Sequence, residues 1–176
     1  MKPKNIFIVG LMAVGKSTVG RMLAEACHME FFDSDHEIEA RTGAEISWIF
    51  DVEGEQGFRD REEQVIDDLT RAEGIVLATG GGAIKRDINR KRLAERGTVI
   101  HLDCPLDKLL ARTSNDKRRP LLQGPDREEV LRKLFAERAP LYQEVADYRF
   151  VSSDSSPRNI VNSIRRKLKR EGVLPA

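Results

Sequence analysis

Gly10-Leu11-Met12-Ala13-Val14-Gly15-Lys16-Ser17 has the spacing G-x-x-x-x-G-K-[ST]. When such a loop joins a strand to a helix, its backbone N–H groups converge on a phosphate, and the helix N-terminus adds favourable potential. Lys16 is then placed to reach the β- and γ-phosphates, and the Ser17 hydroxyl to bind Mg²⁺. The expected chemistry is that of a mononucleotide site with a divalent cation. The motif alone does not separate kinases from GTPases or ATPases. The sequence lacks the guanine-reading N-K-x-D element that a GTPase needs.

Other residues suit a small polar acceptor. In Asp33-Ser34-Asp35 two carboxylates lie two positions apart and can serve separate centres. Asp33 is suited to hold a water on the metal, and Asp35 to accept a hydrogen bond from a substrate hydroxyl. Capping of the following helix is the alternative role for Asp35. Arg59 follows Gly57-Phe58 at the expected start of a helix, where its guanidinium can grip a carboxylate bidentately. Glu62, one turn on, can hold that guanidinium, while the rest of the 60–63 run reads as a solvated helix face. Gly80-Gly81-Gly82 follows an apolar run and lets a ligand approach bare backbone N–H donors. Thr113–Asp126, with Lys117, Arg118, Arg119, Pro120 and Gly124-Pro125, reads as a mobile basic loop able to close over a nucleotide. Arg138, ahead of Ala139-Pro140, is a second candidate anion clamp near a helix boundary.

The elements that must position these groups alternate along the chain. Strands are expected at Asn5–Val9, Glu30–Asp33, Ile75–Thr79, Thr98–Leu102 and Tyr148–Val151. Helices are expected at Lys16–Cys27, Asp35–Thr42, Arg59–Arg71, Asn89–Arg96, Leu106–Arg112, Arg127–Glu137 and Pro157–Glu171. In the last, Ile160, Ile164 and Leu168 repeat every four residues, as one buried stripe does. Such alternation predicts an α/β fold with a mainly parallel sheet covered on both faces, and ligands at the carboxyl ends of its strands.

The chain of 176 residues carries 30 basic and 29 acidic side chains, a net charge of +1. That balance argues against a nucleic-acid or membrane surface, so a bound anion must be held by local geometry. No apolar run reaches the roughly 20 residues that cross a bilayer, and the N-terminus lacks a signal-peptide pattern. Cys27 and Cys104 lie far apart and read as free, buried thiols in a reducing cytosol. One domain over residues 1–176 is the expectation.

Taken together, these segments resemble the shikimate kinases nearly end to end. The likeness runs through the phosphate loop and its Ser17-Thr18-Val19-Gly20 continuation, Asp33-Ser34-Asp35, Ile49-Phe50 and Gly54 to Arg59. It continues through Leu77 to Gly82, Arg119-Pro120-Leu121-Leu122 and Glu137 to Tyr142. The resemblance implies a three-layer α/β/α P-loop kinase with a central five-stranded parallel sheet. A lid is implied at about 113–126 and a substrate-binding helical segment at about 33–62. The implied reaction moves the γ-phosphoryl group of ATP to the 3-hydroxyl of shikimate, in aromatic amino-acid biosynthesis.

By the same resemblance, Gly10, Ala13, Val14, Gly15, Lys16, Ser17 and Thr18 bind ATP, with Arg112 packing on adenine and the Ser155 region closing its pocket. Arg119 comes from the lid onto the phosphates. Arg59 and Arg138 bind the shikimate carboxylate, Gly80, Gly81 and Gly82 contact the ring substituents, and Asp35 takes the reacting hydroxyl. Phe50 and Phe58 form apolar walls. Lys16, Asp35 and Arg119 are the implied catalytic groups, and Ser17 with Asp33, through water, the implied Mg²⁺ site. A cytosolic monomer is implied too. One position departs: many relatives carry Gly where this chain has Ala13, which restricts a backbone expected to be left-handed. A gluconate kinase of similar build is the nearest alternative, but its acceptor would not call for the arginine pair and triple glycine. A nucleotide-binding regulatory module without catalysis is a second.

Overall fold

A computed structural model describes residues 4–117, 119–152 and 155–175. Five strands, β1 (Ile6–Val9), β2 (Glu30–Asp33), β3 (Ile75–Ala78), β4 (Thr98–Asp103) and β5 (Tyr148–Val151), form one parallel sheet in the order β2-β3-β1-β4-β5. The three inner strands are apolar almost throughout and buried, while the edge strands β2 and β5 are only partly covered. Unbroken apolar runs of this kind belong to a parallel sheet with helices on both faces.

The helices are α1 (Lys16–Cys27), α2 (Ser34–Thr42), α3 (Ile46–Thr70), α4 (Asp87–Arg96), α5 (Leu106–Thr113), α6 (Arg127–Val145) and α7 (Pro157–Arg170). Short 3₁₀ turns cover Ala83–Lys85 and Pro120–Leu122. The expected stripe on α7 is buried at Ile160, Ile164 and Leu168, where the helix packs on α1.

The two long helices depart from expectation. Arg59 is not at a helix start. It lies within α3, which begins at Ile46 and is interrupted only at Gly54 (φ 72°, ψ 178°). Arg138 is not near a helix boundary either, because α6 continues through Pro140 to Val145. Proline forfeits one N–H bond inside a helix, but Leu131, Arg138, Tyr142 and Val145 are buried along α6, and that burial carries the helix past the break. Of the two free thiols, Cys104 is buried and Cys27 only partly so.

Candidate active site

The phosphate loop runs from the end of β1 into α1. Gly15 (φ 100°) turns the chain into the helix, and Ala13 sits in the left-handed region at φ 66°. Lys16 curls back so that its Nζ donates to the carbonyls of Gly10 (2.7 Å) and Leu11 (2.9 Å). Burial holds the Lys16 ammonium down at about pKa 8, with the positive charges of Arg119 and Arg138 adding to the effect against Asp35 and Asp33. Ser17 and Thr18 are exposed on the first turn of α1. Val14, buried, has its carbonyl tied to Ser152 Oγ at 2.9 Å.

Asp33, at the end of β2, divides its two carboxylate oxygens. Oδ1 caps α2 by accepting from the N–H groups of Asp35 (3.0 Å) and His36 (3.2 Å), and Oδ2 accepts from the Ser17 hydroxyl. This hydroxyl–carboxylate pair beside the phosphate loop is an all-oxygen donor set. It fits Mg²⁺, which keeps most of its shell as water and phosphate oxygens and needs few protein ligands.

Because Asp33 supplies the cap, Asp35 is spared that role. Its carboxylate faces the Gly80 backbone, and burial, with Glu62 and Asp33 nearby, raises its pKa to about 7. A Cβ at Gly80 would stand 2.6 Å from Asp35 Oδ1 and 2.7 Å from Glu62 Oε2, so glycine is required by close approach. Ser34 Oγ accepts the Gly80 N–H at 2.8 Å, a contact with no signature in the sequence beyond the residue's place between two aspartates.

The arginine-lined side is built from α3 and α6. Arg59, 6% exposed, donates from Nη1 to Glu62 Oε1 at 2.7 Å and lies over the Phe58 ring at 5.1 Å. A side chain at Gly82 would overlap the Arg59 guanidinium. Arg138 is only 1% exposed, and its Nε and Nη2 have no hydrogen-bond partner; Arg59 Nε and Glu62 Oε2 are likewise unpaired. Burial pushes the Glu62 carboxyl up, against the pull of Arg59. Buried cations left with free N–H groups are costly unless an anion completes them. Phe50 and Phe58 meet in a tilted contact, with ring centroids 4.8 Å apart. Tyr142, one turn after Arg138, donates its hydroxyl to the Gly81 carbonyl.

The 113–126 segment places Arg119 near Lys16, close enough to lower the lysine's pKa. Arg119 pairs with Asp116 at 3.0 Å and keeps a buried, unpartnered Nε. Arg118 lies outside the described residues. Arg112 joins three backbone carbonyls, those of Ala13 (3.1 Å), Val14 (3.4 Å) and Ser152 (2.9 Å), so it braces the phosphate loop against the end of β5. Ser155 is exposed just beyond it, with residues 153 and 154 outside the described set.

The shikimate kinase family model matches residues 12–169. The shikimate kinase of Alteromonas mediterranea is 59% identical over 165 residues, covering 94% of this chain and 96% of its own. That of Vibrio parahaemolyticus is 57% identical over 166 residues, with the same coverage. A solved shikimate kinase from Acinetobacter baumannii in complex with shikimate superposes with a TM-score of 0.94 at 48% identity, covering 97% of this chain and 95% of its own.

The chain belongs to the shikimate kinase family.

It is therefore an ATP-dependent kinase, with the P-loop α/β architecture of that family. Set against what the family resemblance implies, the fold brings Lys16, Ser17, Asp33, Asp35, Arg119 and Arg138 into one electrostatically linked cluster at the strand ends. Arg59, Glu62 and Gly80 to Gly82 lie against it. Ser34 and Tyr142 are the residues that motif spacing missed. Each acts on a glycine backbone, 46 and 61 residues away respectively, which no local spacing records.

Proposed function

We propose that ATP and shikimate meet at this cluster with the following division of work. The reaction of this shikimate kinase family member moves the γ-phosphoryl group of ATP onto the 3-hydroxyl of shikimate. The phosphate loop, Gly10 to Thr18, holds the triphosphate by its backbone, and Lys16 exchanges its two loop carbonyls for phosphate oxygens. Ser17, and Asp33 through water, hold Mg²⁺, which when bound offsets charge on the phosphate oxygens. Arg112 and the Ser155 region border the adenine.

Arg59 and Arg138 hold the shikimate carboxylate, with the backbone of Gly80, Gly81 and Gly82 under the ring and Phe50 and Phe58 as apolar walls. This grip is remote from the reacting oxygen, so its binding energy goes into alignment. Asp35 accepts a hydrogen bond from the 3-hydroxyl. As the oxygen bonds to phosphorus and the bond to the ADP oxygen breaks, Asp35 takes the proton and later releases it to water. A group poised near pKa 7 is matched to that exchange at neutral pH. The 113–126 segment acts as a lid: Arg119 turns from Asp116 to the transferring group and excludes water. Residues 1–176 act as one kinase domain, a monomer in the cytosol.

The observation that carries this reading is Arg138. An arginine that is 1% exposed yet keeps two unpartnered guanidinium nitrogens, beside bare glycine backbone, is suited to a carboxylate. A coupled assay of ADP release with Mg-ATP tests it, comparing shikimate with gluconate and nucleoside monophosphates. Turnover restricted to shikimate supports the assignment. Equal turnover of gluconate, which has no rigid ring to align, would overturn it.

A further inference from the structure

The triple glycine has no side chains with which to hold itself in place, and its middle member is gripped from the far side. Tyr142 is 2% exposed, and its hydroxyl donates to the Gly81 carbonyl. Burial raises the pKa of the same hydroxyl, and the positive charge of Arg138, one helical turn earlier on α6, pulls against that rise. Residues four apart share a helix face, so α6 presents both groups to the glycine loop together. A Cβ at Gly81 would stand 3.4 Å from Arg138 Nη1, which shows how closely the loop and the guanidinium are set. Behind the phenol, the Tyr142 ring stacks on buried His101 of β4, with centroids 5.1 Å apart, and this fixes the ring.

We propose that Tyr142 is a positioning residue for the acceptor. Its hydroxyl anchors the Gly81 carbonyl to α6, the helix that carries Arg138, and so sets the distance between the N–H groups of Arg138 and the glycine backbone that together receive the carboxylate. Arg138 Nε and Nη2 are the N–H groups left free for the ligand. The proposal rests on the acceptor-site reading given above. Tyr142 contacts no reacting atom, so its removal acts on selectivity for the carboxylate and leaves the nucleotide side alone.

The test compares shikimate with its carboxylate-reduced analogue, in which a hydroxymethyl group replaces the acid, in the wild-type enzyme and in Tyr142→Phe. Wild type should prefer the acid strongly in kcat/KM. Tyr142→Phe keeps the ring on His101 and should lose roughly tenfold of that preference, the scale of one buried hydrogen bond, with KM for ATP unchanged. An unaltered preference in Tyr142→Phe, or an equal rise in both KM values, would overturn the proposal. Absence of any preference in the wild type would instead overturn the acceptor-site reading beneath it.

A second measurement needs no variant at position 142. The chain has two tyrosines, so 3-fluorotyrosine labelling gives two ¹⁹F resonances, assigned with Tyr148→Phe. Saturating shikimate without nucleotide should move the Tyr142 signal and leave that of Tyr148 in place. A Tyr142 signal unmoved by shikimate would contradict the role.

Discussion

The N–H of Asp35 donates to Asp33 Oδ1 at 3.0 Å. The bond assigns the helix-capping duty to the first aspartate and frees the second carboxylate to point at Gly80. The two carboxylates thereby face different neighbours, since Asp33 Oδ2 is engaged with Ser17 beside the phosphate loop. The free carboxylate is raised to a pKa of about 7 by burial and by Glu62 and Asp33.

From that shift follows a pH dependence. The raised pKa means that Asp35 is protonated below pH 7 in the free enzyme and ionised above it, and only the ionised form accepts the 3-hydroxyl proton. The kcat/KM for shikimate should therefore rise with pH through an apparent pKa near 7, which belongs to the interacting Asp35–Glu62 pair. Asp35→Asn should lower kcat by on the order of 100-fold or more and abolish that limb. A variant with near-wild-type kcat and the same acid limb would remove Asp35 from the proton step.

Gly80→Ala tests the close approach. The added methyl would stand 2.6 Å from Asp35 Oδ1 and 2.7 Å from Glu62 Oε2, so one carboxylate must move. Steady-state kinetics should show loss of shikimate turnover, while calorimetric ATP affinity persists because the phosphate loop is untouched. Wild-type turnover would mean that the Asp35 position has no bearing on the acceptor.

Lys16 is held at about pKa 8 before nucleotide arrives. Phosphate oxygens favour the charged form, so binding ATP at pH 8 should take up roughly half a proton at this group. Calorimetry in buffers of different ionisation enthalpy measures that uptake. It should shrink toward pH 6, where the lysine is already charged.

Ala13 holds a left-handed conformation at φ 66°, which costs a non-glycine residue about 1–2 kcal/mol. Ala13→Gly relieves this, while the freer unfolded chain takes back about 0.4–1 kcal/mol. The net gain should be about 0.5–1 kcal/mol, a rise in Tm of about 2 °C. Thermal unfolding without ligand checks the sign.

Much of this arrangement was legible in the residue pattern. All five strands lie where apolar runs bounded by turns place them, and the three inner ones were plainest, because helices on both faces leave little polar alternation there. The phosphate loop was equally plain, since its chemistry needs fixed spacing. The first half of α3 was not. Gly54 and Gly57 interrupt the helical signal there, and the exposed Trp48 and Val52 blur its apolar face. The length of α6 was hidden by Pro140. Burial of Arg138 arises only when α6 folds against the glycine loop, and the hydroxyls of Ser34 and Tyr142 serve amide and carbonyl partners far along the chain.

In the proposed site, buried Arg138 completes its hydrogen bonding with the carboxylate of the acceptor. Arg138→Met keeps most of the volume and removes the charge, and the nearby buried Glu62 keeps its ion pair with Arg59, so no buried carboxylate is left alone. Steady-state kinetics of this variant should show KM for shikimate raised by on the order of 100-fold, with KM for ATP and the melting temperature held near wild type. An unchanged KM for shikimate, or a rise matched by that for ATP, would contradict the account.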